Sequence, residues 1–217
     1  MALIWILIGA TFDFFDGMSA RLLKVSSPIG KELDSLADVV TFGVAPSTMI
    51  YYTLSVIDYP SFLQSPPQYS FDVYRTVIPY LAFLMAAFSA LRLAKFNIDQ
   101  RQTESFIGLP TPANALFWGA LILTNPYWIE NNSWSLFCIL ALMLTSCYLL
   151  VCELPMFALK FKHWSWKGNT IRYSFMILTI IVLCLFGVLK GWWIVIACYF
   201  LISLYLYITG KSKRISK

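Results

Sequence analysis

Four aspartates have the spacing to act together. Asp13 and Asp16 are three residues apart, and Asp34 and Asp38 are four apart. Each pair therefore falls on one face of a helix. Both pairs lie in or beside long apolar runs, where a central carboxylate costs roughly 2.5–3.5 kcal/mol to insert. Like charges on a shared face add repulsion. A divalent cation is the simplest compensation. Hard oxygen ligands suit Mg²⁺, Mn²⁺ or Ca²⁺, and no His or Cys lies nearby to favour zinc. Two such ions about 3.5–4 Å apart would clamp a phosphoryl centre undergoing in-line displacement. The plainer reading is helix capping at a water interface. It suits Asp34 alone. It fails for Asp13 and Asp16, which come near a helix C-terminus, where the dipole disfavours anions. Gly17 and Ala20 lie close to the same face and are small enough to let another group approach the backbone.

The elements that must hold these residues are apolar helices. The chain is 59% hydrophobic and only 12% charged, with a mean hydropathy of +0.70. A soluble domain carries roughly a quarter charged residues. About 20 apolar residues span a bilayer as a helix, and the long uncharged runs exclude a barrel, which shows short alternating segments. The sequence predicts an all-α, polytopic bundle with seven spans, at about 2–22, 36–57, 75–96, 110–125, 134–153, 171–189 and 191–209, forming a single domain over 1–217. Fourteen Lys and Arg residues fall on the side that carries the aspartates, and only Arg75 and Lys190 on the other. That asymmetry makes the aspartate side cytoplasmic and accounts for the net charge of +5 without nucleic acid. The five cysteines sit within apolar runs, without metal-ligand spacing, and read as packing residues.

The stretch Asp13–Asp38 resembles the signature of the CDP-alcohol phosphatidyltransferases, D-x-x-D-G-x-x-A-R-x8-G-x3-D-x3-D. Asp13, Asp16, Gly17, Ala20, Arg21, Gly30, Asp34 and Asp38 match every fixed position. The resemblance implies that Asp13, Asp16 and Asp34 bind metal, with two Mg²⁺ or Mn²⁺ ions as the family's cofactor. Asp38 would assist the metal and serve as general base toward the acceptor hydroxyl. Gly17, Ala20, Arg21 and Gly30 would contact the CDP-lipid.

A second pair of segments bears on the acceptor. Arg92-Leu93-Ala94-Lys95-Phe96-Asn97 and Phe106-Ile107-Gly108-Leu109-Pro110-Thr111-Pro112-Ala113 resemble motifs of the phosphatidylserine synthase branch. The resemblance implies CDP-diacylglycerol and L-serine as substrates, phosphatidylserine and CMP as products, and a homodimer in the bacterial or archaeal cytoplasmic membrane, among membrane lipids. A zwitterionic acceptor needs a cation for its carboxylate and a hydrogen-bonding partner. Arg92 or Lys95 could supply the first and Asn97 the second. The bland alternative for Arg92, Lys95 and Arg101 is the ordinary positive-inside flank. Glycerol phosphate or inositol phosphate as acceptor is the neighbouring reading. A cation-binding transporter is the reading from another class, and the apolar interiors of the last three spans count against it.

The resemblance also leads one to expect a further helix before the signature. With it the spans would number eight, with both termini cytoplasmic. His163, a lone histidine beside Trp164 and Trp166, and Glu153 receive no role. The basic tail Lys211–Lys217 reads as a topology anchor that touches anionic lipid.

Overall fold

The computed structural model describes residues 1–24, 27–60, 68–98, 106–132, 134–157 and 169–209. The Arg21 side chain, Arg101, the segment holding Lys160, Lys162, His163 and Lys167, and the tail from Lys211 lie outside the described residues. The helices are α1 (Ala2–Leu23), α2 (Pro28–Asp38), α3 (Ala45–Val56), α4 (Gln68–Val77), α5 (Leu84–Ile98), α6 (Thr111–Thr124), α7 (Pro126–Asn131), α8 (Ser135–Val151), α9 (Thr170–Phe186) and α10 (Trp192–Ile208). A helix stands at each of the seven apolar segments. Ala2–Ala20, Pro28–Val56 and Val73–Ile98 are long and apolar enough to cross a membrane, and the remaining apolar helices are shorter. Trp5, Phe12, Phe14, Leu185 and Leu201 are among many large apolar side chains on the outer surface. That surface suits hydrocarbon rather than water.

Two departures from plain α-helix have a cause in the sequence. A π-helical turn, Val39–Val44, joins α2 to α3, and the Ala45 N–H bonds back five residues to Val40 O. Pro46 follows at once. It has no N–H for the Phe42 carbonyl and its ring crowds that carbonyl, so the turn widens there. A 3-10 turn, Ile78–Phe83, joins α4 to α5 and contains Pro79. The second span therefore starts at Pro28 rather than near residue 36, and the aspartates Asp34 and Asp38 sit inside a continuous helical rod.

α6 is the bundle's centre. Trp118 is fully buried and shares one core with Ile50 and Leu54 of α3, Met85 of α5, and Met143, Cys147 and Leu150 of α8. Its indole N–H donates to Ser146 Oγ at 3.1 Å. On another face α6 meets α10 and α9 in a second core that includes Phe157, Phe175 and Tyr199. On a third, Ala115 packs with Ile6 of α1 and Phe42 of the π-turn.

The expectation of an all-helical chain needs one addition. Phe106–Ile107 (β1) pairs antiparallel with Pro155–Met156 (β2). The Gly108-Leu109-Pro110 turn that follows β1 is pinned to the end of α8, with Gly108 N–H on Leu154 O and Leu109 N–H on Leu149 O, each at 2.9 Å. Gly108 has φ +74, and a Cβ there would lie 2.9 Å from Leu150 O. Only glycine fits both the left-handed backbone and the close approach. This turn fixes where α6 begins, beside the aspartates.

Candidate active site

α1 and α2 form a hairpin that brings the two aspartate pairs together. Lys24 ends α1 with φ 53. Ser27 caps α2, its Oγ accepting from Gly30 N–H at 3.0 Å, and Pro28 takes the first helical position. Serine there satisfies an orphan N–H, and proline has none to lose. The carboxylates of Asp13, Asp16 and Asp34 each offer an oxygen, and these oxygens lie within 4.8 Å of one another. None of the three pairs with a described lysine or arginine. Three clustered anions with no ion pair among the described residues are the donor set that a hard divalent ion takes. Asp13 is partly covered, whereas Asp16 and Asp34 are exposed.

Asp38 stands one helical turn beyond Asp34, close enough to Asp13 for the two carboxyls to share a hydrogen bond. Asp13, Asp34 and Asp16 act on it as like charges, and Arg92 of α5 as the opposing one. Arg92 is 7% exposed, and its charge also faces Tyr199 of α10. A buried guanidinium beside an acid cluster reads as more than a positive-inside flank.

A cleft of about 600 Å³ opens beside the carboxylates, lined by Asp16, Gly17, Ala20, Ser27, Gly30, Lys31, Leu33, Asp34 and Ala37. Its size is in the range of small-ligand sites. The expected CDP-lipid contacts Gly17, Ala20 and Gly30 all line it. A Cβ at Gly17 would meet nothing within 4 Å, so a side chain there would project into open space.

The other expected acceptor residues have protein partners. The Asn97 amide donates to Ser35 Oγ at 2.9 Å, and Lys31 Nζ reaches Asn97 O at 3.5 Å. Lys95 is exposed, and its Nζ lies 3.4 Å from Val151 O at the end of α8. Asn97 thus ties the end of α5 to α2, next to Asp34. Losing such a hydrogen bond costs about 0.5–1.5 kcal/mol. Asn97→Ala is expected to raise the Mn²⁺ concentration for half-maximal activity about fivefold, with the KM for the acceptor unchanged. A raised acceptor KM with normal metal dependence would instead make Asn97 an acceptor contact. Sequence reading missed Ser35 and Lys31 as its partners, because the tie spans more than 60 residues.

Comparison with known proteins agrees with this geometry. The family model for CDP-alcohol phosphatidyltransferase matches residues 1–147. A CDP-diacylglycerol–serine O-phosphatidyltransferase of Bacillus subtilis is 42% identical over 115 residues, 51% of this chain and 54% of the relative. One of Helicobacter pylori is 37% identical over 138 residues, 61% of this chain and 52% of the relative. One of Methanocaldococcus jannaschii is 36% identical over 127 residues, 58% of this chain and 53% of the relative. The chain spans about half the length of these curated relatives. The family match covers well over half of this chain and includes every aspartate of the cluster: the chain belongs to the CDP-alcohol phosphatidyltransferase family.

Proposed function

We propose that this protein transfers the phosphatidyl group of CDP-diacylglycerol to the hydroxyl of L-serine, giving phosphatidylserine and CMP. The observation that carries the reading is the gathering of Asp13, Asp16 and Asp34 within 4.8 Å, with Asp38 and the buried Arg92 near enough to interact and a cleft lined by Asp16 and Asp34. The relatives' names favour serine over a phosphorylated alcohol.

Asp13, Asp16 and Asp34, with Asp38 beside them, would hold one or two Mg²⁺ or Mn²⁺ ions, which supply positive charge against the diphosphate. The CDP moiety lies along Gly17, Ala20 and Gly30, and the family resemblance adds Arg21 as a contact. Asp38 takes the proton of the acceptor hydroxyl as its oxygen attacks the lipid phosphorus. The bond from that phosphorus to the CMP oxygen breaks, and CMP leaves with the electron pair. Arg92 supplies the cation for the acceptor carboxylate. The chain forms a single transmembrane domain with seven spans, the cluster on the cytoplasmic side, and pairs as a homodimer in the cytoplasmic membrane. The charge asymmetry supports that orientation.

Membranes carrying the protein, supplied with CDP-diacylglycerol, Mn²⁺ or Mg²⁺ and one acceptor at a time, are expected to release CMP with L-serine. Release only with glycerol phosphate or inositol phosphate would overturn the acceptor. No release with any of them would overturn the transferase reading and favour a cation site.

A further inference from the structure

Among the described residues that line the cleft beside the carboxylates, Lys31 is the only lysine or arginine. Its ammonium forms no ion pair with Asp16 or Asp34, which line the same cleft. The polar contact it makes is weak: Nζ lies 3.5 Å from Asn97 O, at the outer limit of a hydrogen bond. The side chain is exposed, so this contact orients it without burying it. The modest reading is a lysine that caps the end of α5. Asn97 is the second-to-last residue of that helix, where carbonyls have no partner within the helix.

Two features go beyond that reading. Lys31 stands in the first turn of α2, just after the Ser27 cap and Pro28. A cation is disfavoured at the positive end of a helix. Lysine there weakens α2 and calls for an anion nearby. The order of groups along α2 says where that anion sits. Asp38, Asp34 and Lys31 are spaced by four and three residues, so they share one face. The rise is about 6 Å from Asp38 to Asp34 and about 4.5 Å more to Lys31. The proposed base, a carboxylate of the metal set and the ammonium thus stand in a row. An in-line displacement has the same order of attacking oxygen, phosphorus and leaving oxygen.

We infer that the Lys31 ammonium holds the nucleotide-side phosphate of the CDP-lipid and answers the charge that builds there as CMP leaves. This rests on the reading that the chain is a CDP-lipid transferase. The acceptor oxygen bonds to the lipid-side phosphorus, and its proton passes to Asp38. The bond from that phosphorus to the oxygen of the CMP phosphate breaks, and the electron pair stays on CMP. The CMP phosphate gains one negative charge in that step. Lys31 keeps its proton throughout. Its charge-assisted hydrogen bond strengthens as the bond breaks, which favours the transition state over the bound substrate. Gly17 and Ala20 of α1 line the same cleft and are small enough to leave the phosphate room.

The test uses the full chain in detergent with Mn²⁺, as Lys31→Met and Lys31→Arg. Lys31 is exposed, so methionine keeps an unbranched stem and removes the charge without disturbing a core. CMP binding, read by calorimetry, is expected to weaken about 10- to 100-fold in Lys31→Met, as loss of a hydrogen bond from a charged group implies. Competition by cytidine, which has no phosphate, should stay within about twofold. The kcat for transfer should fall about tenfold or more, with the acceptor KM and the Mn²⁺ midpoint unchanged. Lys31→Arg keeps the charge and should recover most of both losses. CMP affinity within twofold of wild type in Lys31→Met, equal weakening of CMP and cytidine, or no recovery in Lys31→Arg would each overturn the inference. A shifted Mn²⁺ midpoint with CMP affinity intact would also overturn it and make Lys31 a tie to α5. Wild type that neither binds CMP nor releases it from CDP-diacylglycerol would overturn the transferase reading and this inference with it. A working wild type beside unchanged CMP affinity in Lys31→Met overturns this inference alone.

Discussion

Asp38→Asn is expected to lower phosphatidyl transfer by about 10²- to 10⁴-fold, the usual contribution of a positioned general base. CDP-diacylglycerol binding should stay within a few-fold, because Asp38 does not line the nucleotide cleft whereas Asp16 and Asp34 do. In the proposed mechanism this position rather than Asp34 takes the proton. Asp38 lies farther along α2 toward the bundle interior, beside Asp13 and facing Arg92. An acceptor held by Arg92, as proposed, would thereby be brought to it. Asparagine keeps the shape and loses the proton affinity, so turnover falls and lipid binding does not. Single-turnover kinetics with binding measured separately checks this. Retained turnover in Asp38→Asn would move the base role elsewhere.

Asp34→Ala should have an effect as large but of another kind. It removes one of the three oxygens that converge within 4.8 Å. Even outer-shell changes at metal sites cost 10- to 100-fold in affinity, so loss of a direct carboxylate is expected to raise the half-maximal Mn²⁺ concentration by at least about 100-fold. Chelation of wild type should abolish activity, and added Mn²⁺ or Mg²⁺ should restore it. Metal dependence titrated at saturating CDP-diacylglycerol separates this from a base defect: Asp38→Asn keeps a near-normal metal midpoint and loses rate, whereas Asp34→Ala shifts the midpoint. A normal midpoint in Asp34→Ala would take that residue out of the metal set.

Much of this site was legible in the sequence because its signal is local. Asp13, Asp16, Gly17, Ala20, Gly30, Asp34 and Asp38 sit at fixed spacing within 26 residues, and helical periodicity alone puts each aspartate pair on one face. The apolar helices were legible for the same reason, as continuous runs, and three of them, Ala2–Ala20, Pro28–Val56 and Val73–Ile98, are long and apolar enough to cross a membrane. What the sequence hid is what tertiary contact decides. The start of the second helical rod at Pro28 was missed because α2 is polar, with no buried residue, and joins the apolar run only through the widened turn before Pro46. The β1–β2 pairing joins segments some 50 residues apart and carries no periodic signal in two residues. Asn97 has the chemistry of a substrate contact, yet folding puts Ser35 within 2.9 Å of it. Asn114 stands among apolar neighbours in α6 and carries no spacing signal. Its burial without a hydrogen-bond partner appears only once the helices are packed.

The most direct measurement is made on purified protein in detergent, with CDP-diacylglycerol, L-serine labelled with ¹³C, and Mn²⁺, counting both products. Phosphatidylserine and CMP should form in equal amounts, the label should sit in the lipid headgroup, and both products should vanish together in Asp38→Asn. CMP released without labelled lipid, or labelled phosphatidylserine still formed at the wild-type rate by Asp38→Asn, would contradict transfer at the aspartate cluster.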